Sequence, residues 1–88
     1  MNLRLLSQEI VFSDYPRNEV DIEMEDGQLV TYYVDNRKIL IAQNSVQEIT
    51  QDLDVLAKNN PNAISAIIYE AKNTSERIFL KKINLKNN

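Results

Sequence analysis

The chain offers few groups able to do chemistry. It has no histidine and no cysteine, which removes the commonest general base, the commonest metal ligand and every thiolate nucleophile. A serine nucleophile would need a lysine as its base, and no Ser-x-x-Lys spacing occurs. A single glycine, Gly27, in 88 residues excludes the glycine-rich loops that cradle phosphates. These absences point away from an enzyme and from a bound cofactor.

Two acidic constellations remain. Glu70-Ala71-Lys72 has the Glu-x-Lys form in which a carboxylate holds Mg²⁺ while lysine helps activate water. That chemistry needs an acid upstream, yet the upstream positions read Pro61-Asn62, and Asp52 and Asp54 fall on a predicted helix. The triplet reads as a solvated strand end. The other constellation is a row: Glu19, Asp21, Glu23 and Glu25 alternate with Val20, Ile22 and Met24. On a strand rising ~3.3 Å per residue, same-side neighbours lie ~7 Å apart, near the spacing of phosphates along a nucleic-acid strand. A straight strand cannot wrap six oxygens around an ion, so no metal site is expected. The plain reading is the outward face of a half-buried strand. The functional reading is a contact face for a protein partner with a basic surface. Exposed like charges repel, so replacing all four acids should leave the fold largely intact.

The elements that would position this row follow from periodicity. Residues 19–25 alternate acid and apolar, the period of a strand. Asp26-Gly27 supplies a hairpin turn, and 28–34, rich in Val, Thr and Tyr, returns as a second strand. Two registers are open. A two-residue turn sets Val30, Tyr32 and Val34 beside the acids; a three-residue bulged turn sets Leu29, Thr31 and Tyr33 there instead. In either case a tyrosine joins the carboxylates, a mixture that resembles an interface more than a solubilising surface. The candidate contact set is therefore Glu19, Asp21, Glu23, Glu25, Asp26, Tyr32 and Tyr33.

Around this hairpin, Asp14-Tyr15-Pro16-Arg17-Asn18 reads as a turn and 37–42 (RKILIA) as a third strand. Leu3, Leu5 and Leu6, then Ile10, Val11 and Phe12, fit either a short helix followed by a strand or one interrupted strand. Val46, Ile49, Leu53 and Leu56 form one apolar stripe on a helix over 46–58, with Gln47, Gln51, Asp54 and Lys58 facing away. Ser45 and Glu48 have capping-box spacing, and Asn59-Asn60-Pro61 ends the helix. Residues 63–72 and 77–85 read as a closing hairpin around the loop 72–76; a helix over 63–72, followed by a strand, is the alternative. The fold class is α+β: one domain, a small antiparallel sheet in the order β-β-β-α-β-β, with the helix packed on one face. Its expected sheet-side core is Val20, Ile22, Met24, Ile39, Ile41, Ile68, Ile78 and Leu80.

Charge is unevenly placed. Residues 1–71 hold twelve acids and five bases, whereas 72–88 hold five bases and the single acid Glu76. Arg77, Lys81, Lys82 and Lys86 could guard an edge strand, or meet the acidic strand of a second copy in a homo-oligomer. The pI of 4.8 and the lone nearby aromatic, Phe79, argue against direct nucleic-acid binding. No segment reaches the ~18 apolar residues that span a bilayer, and the N-terminus lacks a signal-peptide core, so the expectation is a cytoplasmic protein. Taken together, the sequence suggests a small acidic partner-binding protein of the inhibitor, immunity or antitoxin kind, such as phages and mobile elements encode. It would block the basic groove of a nucleic-acid-handling protein. A structural or assembly subunit is the alternative.

Overall fold

In the computed structural model, which describes residues 3–5, 15–34 and 43–86, the alternating acidic segment forms a strand as its period requires. The elements are β1 (Leu3–Leu5), β2 (Arg17–Met24), β3 (Leu29–Val34), α1 (Gln43–Asn59), β4 (Ala63–Ala71) and β5 (Arg77–Asn84). They build one antiparallel sheet in the order β1-β3-β2-β4-β5, so the α+β class holds and the order β-β-β-α-β-β holds in outline, with a different first strand from the three expected before the helix. The first strand is Leu3–Leu5; the strand expected over 37–42 lies outside the described residues. Strand rather than helix forms over Ala63–Ala71. Among the described residues no helix is long and apolar enough to cross a membrane.

The hairpin register follows from its turn. The Gly27 amide donates to the Met24 carbonyl and the Met24 amide to the Gln28 carbonyl, both at 2.9 Å. Glu25, Asp26 and Gly27 are thus a three-residue loop. Gly27 takes φ 87°, a left-handed conformation that costs a side-chain-bearing residue about 1 kcal/mol or more. Asp26 Oδ1 accepts from the Gln28 amide at 2.9 Å. The three-residue loop pairs Glu19 with Tyr33, Asp21 with Thr31 and Glu23 with Leu29. The bulged-turn alternative is therefore the one realised, and Tyr32 points to the other face, opposite Val20.

That other face is the core. Val20, Ile22, Val34, Ala63, Ala66 and Ile68 from the sheet meet Ile49 and Leu53 from α1, all buried, with Leu3, Met24, Tyr32, Val46, Leu56, Leu80 and Ile83 packed around them. The helix lies over β4 and β5, where the small side chains of Ala63 and Ala66 leave room for its stripe. Ile78 departs from its expected core place: it is 40% exposed, because β5 ends the strand order and has no neighbour beyond it among the described residues. Ile39 and Ile41 lie outside the described residues.

The helix also starts earlier than expected. Gln43 opens it, which puts Ser45 inside the first turn rather than at the N-cap; the Ser45 side chain lies outside the described set. At the far end Asn60 Nδ2 donates to the Leu56 carbonyl at 2.9 Å, and Lys58 stands in the last turn, where its charge complements the helix dipole. Of the turn expected over 14–18, Asp14 lies outside the described residues, Tyr15 and Pro16 are joined by a cis peptide bond, and Arg17 and Asn18 already belong to β2.

Burial separates two neighbours on α1. Leu53 is fully buried and Val55 is 61% exposed. In urea unfolding, Leu53→Ala is expected to lower stability by about 2–5 kcal/mol, whereas Val55→Ala should stay within about 0.5 kcal/mol. Gly27→Ala, for its backbone conformation alone, should cost about 1 kcal/mol.

Candidate functional site

Of the residues singled out for chemistry, Glu19, Asp21, Glu23 and Tyr33 stand on the sheet face away from α1. Antiparallel register orders that face into rows running across the strands. One row is Leu29, Glu23, Ser65 and Asn84, and the next is Thr31, Asp21, Ile67 and Lys82. A third is Arg4, Tyr33, Glu19, Tyr69 and Phe79, and the last is Arg17, Ala71 and Arg77. The three carboxylates of β2, Glu19, Asp21 and Glu23, do share one side, as the alternation predicts, while Glu25 falls in the hairpin loop. What alternation does not give is the position of β2 itself: it is the central strand, paired on both edges.

Centrality changes the condition of the inner two acids. Glu19 and Asp21 are each only 6% exposed, so both carboxylates need partners that repay lost hydration. Two arginines provide them. Arg17 Nε donates to Glu19 Oε2 at 2.8 Å. Arg77 Nε stands 3.2 Å from Glu19 Oε1, while its Nη2 and Nη1 donate to Asp21 Oδ1 and Oδ2 at 2.9 and 3.1 Å. The planar guanidinium thus grips Asp21 through two bonds and touches Glu19 through a third, a geometry lysine cannot supply. Thr31 Oγ1 adds a 2.8 Å bond to Asp21 Oδ1.

Arg77 spans two strand spacings to do this, starting on β5 and ending over β2. Its route is prepared. Ala71, buried between Arg17 and Arg77 in the last row, presents only a methyl group and leaves the approach open. Tyr69 on β4 forms the floor, with Arg77 Cζ 3.9 Å from its ring centroid, and Phe79 meets Tyr69 edge-on at 6.4 Å and 81°. Arg17 is held likewise, with Tyr15 and Tyr33 rings 4.2 and 5.1 Å from its Cζ and a 2.9 Å bond to Tyr15 Oη. Burial by itself lowers the pKa of Arg77, but the hydrogen bond and charge of Asp21 and the charge of Glu19 outweigh it and hold the guanidinium above its ordinary value.

The outer acids differ. Glu23 is half-buried and accepts from Ser65 Oγ at 3.0 Å. Glu25 and Asp26 are exposed in the hairpin loop, where Glu25 pairs with Lys86, and Leu29 beside them is 56% exposed. The seven candidate residues therefore divide into three groups. Glu19, Asp21 and Tyr33 lie inside the arginine-bound network, Tyr32 packs against the core, and Glu23, Glu25 and Asp26 reach the surface at one end. The expectation that the whole row faces solvent does not hold for its inner half. An acidic strand cannot pair with the basic strand of a second copy either, because both edges of β2 are already occupied.

Sequence reading passed over Arg17, placed in a turn, and Arg77, placed at a guarded edge. Arg17 carried a usable signal: it precedes Glu19 by two, so extending the alternation one step N-terminally puts a cation on the same face. Arg77 carried none locally, being 56 residues from Asp21. At Glu70 the cross-strand neighbours are Asn18 and Ile78, neither a carboxylate, and Lys72 lies 3.9 Å away. Among the described residues no group of three or more acids is placed to hold a metal ion.

Buried and exposed carboxylates should respond differently to removal. Glu19→Ala, which strands Arg17 and part of Arg77, is expected to cost about 3–5 kcal/mol, a large share of the roughly 5–15 kcal/mol that a small domain has. Glu25→Ala should change stability by no more than about 1 kcal/mol. Chemical denaturation of the two variants reads the contrast, and equal small effects would contradict the network. Comparisons of the chain with protein-family models, with characterised proteins and with solved structures found no match.

Proposed function

We propose that this chain is a small, non-enzymatic partner-binding protein that engages a basic protein surface through the free end of the β2–β3 hairpin. The observation that carries the reading is the division of the carboxylate row. Glu19 and Asp21 are neutralised within the sheet by Arg17 and Arg77, whereas Glu25 and Asp26 stand exposed beside Glu23 and Leu29. The contact set is thus narrower than the full row: three acids and one leucine on a two-stranded end, stiffened from within.

The Lys86–Glu25 pair is no obstacle. Both side chains are more than a third exposed, and such pairs contribute only about 0–1 kcal/mol, so a partner's arginine or lysine can displace Lys86. Acids grouped on a rigid tip accelerate encounter with a basic groove and weaken with salt. A leucine at their edge adds apolar area that salt does not weaken. A groove that normally holds nucleic acid fits this chemistry, and the protein would then act as an inhibitor of the immunity or antitoxin kind, of phage or mobile-element origin, in the cytoplasm.

The test is a pull-down with the tagged chain at about 0.05 and 0.5 M salt, with bound proteins identified by mass spectrometry and challenged with a short oligonucleotide. A basic, nucleic-acid-handling protein should be retained at low salt, released at high salt and displaced by the oligonucleotide. The double variant Glu25→Lys/Asp26→Lys should fold normally and lose capture by about tenfold or more. Undiminished capture by that folded variant refutes the hairpin mechanism. Recovery of further copies of this chain alone, equally at both salt levels, would replace it with an assembly subunit.

A further inference from the structure

We propose that the outer edge of β5 is a second contact surface, one that takes up an extended acidic segment of another protein by strand addition. β5 closes the strand order and pairs with β4 alone among the described residues. Among the described residues its outer side therefore carries a row of N–H and C=O groups with no sheet neighbour, the template that strand addition uses. The side chains along this edge are open as well. Ile78 is 40% and Phe79 58% exposed, and as successive strand residues they point to opposite faces. Two steps further, Lys81 and Lys82 are exposed with no ion-pair partner among the described residues. Arg77 is not available, since it reaches inward to Glu19 and Asp21.

Charge selects the occupant. A second copy adding antiparallel to β5 would gather Lys81 and Lys82 of both strands, four ammonium groups, around the two-fold axis, and like charges set opposite one another are destabilising. A neutral strand gains nothing from the lysines and meets the bulge in β5, where Leu80 is the extra residue between Phe79 and Lys81 opposite Tyr69 and Ile68 and the local twist discourages indiscriminate pairing. An acidic segment turns the same guards into partners. It would set one acid against Lys81 and one against Lys82, on the two faces of the strand, and aliphatic side chains beside Ile78 and Phe79. Backbone bonds then supply the affinity and the lysines the selectivity. This surface is opposite in charge to the hairpin tip and does not depend on it.

The experiment uses the full chain and a fluorescent panel of decapeptides in which an adjacent Glu-Glu pair stands two to four residues from an Ile-Val pair, in both chain directions. Anisotropy should show binding by at least one arrangement, with hydrogen-exchange protection of β5 amides. N-methylation of alternate peptide backbone nitrogens should abolish it. Lys81→Glu/Lys82→Glu should weaken it by about tenfold and create binding to the matching Lys-Lys peptides, while Glu25→Lys/Asp26→Lys leaves it unchanged. Failure of the whole panel to bind at millimolar concentration overturns the proposal. So does binding indifferent to N-methylation or to the lysine reversal. A salt-insensitive dimer of the chain alone, with β5 amides protected, overturns it in favour of a second copy.

Discussion

Two arginines make the central strand possible. A strand that alternates acid and apolar residues can bury one face against a helix, but placing it in the middle of a sheet also takes its other face out of water. Glu19 and Asp21 are the acids most affected, and both are nearly buried. Left unpaired, each carboxylate would cost several kcal/mol. Arg17, from the same strand, and Arg77, from two strands away, supply the charges and most of the hydrogen bonds that make this burial tolerable. Much else on that face follows from them. Ala71 leaves them space, Tyr15, Tyr33 and Tyr69 lie against their planes, and Phe79 packs on Tyr69.

The same pairs resolve the charge imbalance along the chain. The acidic first four-fifths and the basic last fifth face each other in the fold, β5 and the residues after it delivering Arg77 and Lys86 to the carboxylates of β2 and its turn. Within the acidic row, Glu19 and Asp21 are paired at the middle of the sheet, and the exposed acids stand at the hairpin end. Along the terminal strand the lysines of β5, Lys81 and Lys82, lack such partners among the described residues. The protein therefore presents two small surfaces of opposite sign, separated by a neutralised sheet face. That is a different object from a uniformly acidic strand.

Ile78 and Phe79 illustrate how position in the sheet overrides side-chain type. Both belong to the kinds of residue that fill cores, and on an inner strand they would have packed between neighbours. On the terminal strand each keeps an open flank, and the adjacent lysines then serve the roles that edges require. The helix side shows the converse. Ala63 and Ala66 are weakly hydrophobic, yet they are buried because α1 lies over β4 and its larger residues need the space.

The local elements were legible in the amino-acid sequence because they are written in short-range patterns. Alternation over 19–25 defined β2 and the shared side of its acids, Asp26-Gly27 marked the hairpin, and Val46, Ile49, Leu53 and Leu56 defined the buried stripe of α1. The isoleucines of 63–72 favoured the strand that forms there. Tertiary structure decided the rest. Period two says which residues share a face and is silent on whether that face meets solvent, which depends on how many strands flank it. The hairpin register turned on one residue of loop length, which placed Tyr33 rather than Tyr32 beside Glu19. The union of Asp21 with Arg77 joins residues 56 positions apart, and no local pattern records a contact that exists only once β4 has been laid between them.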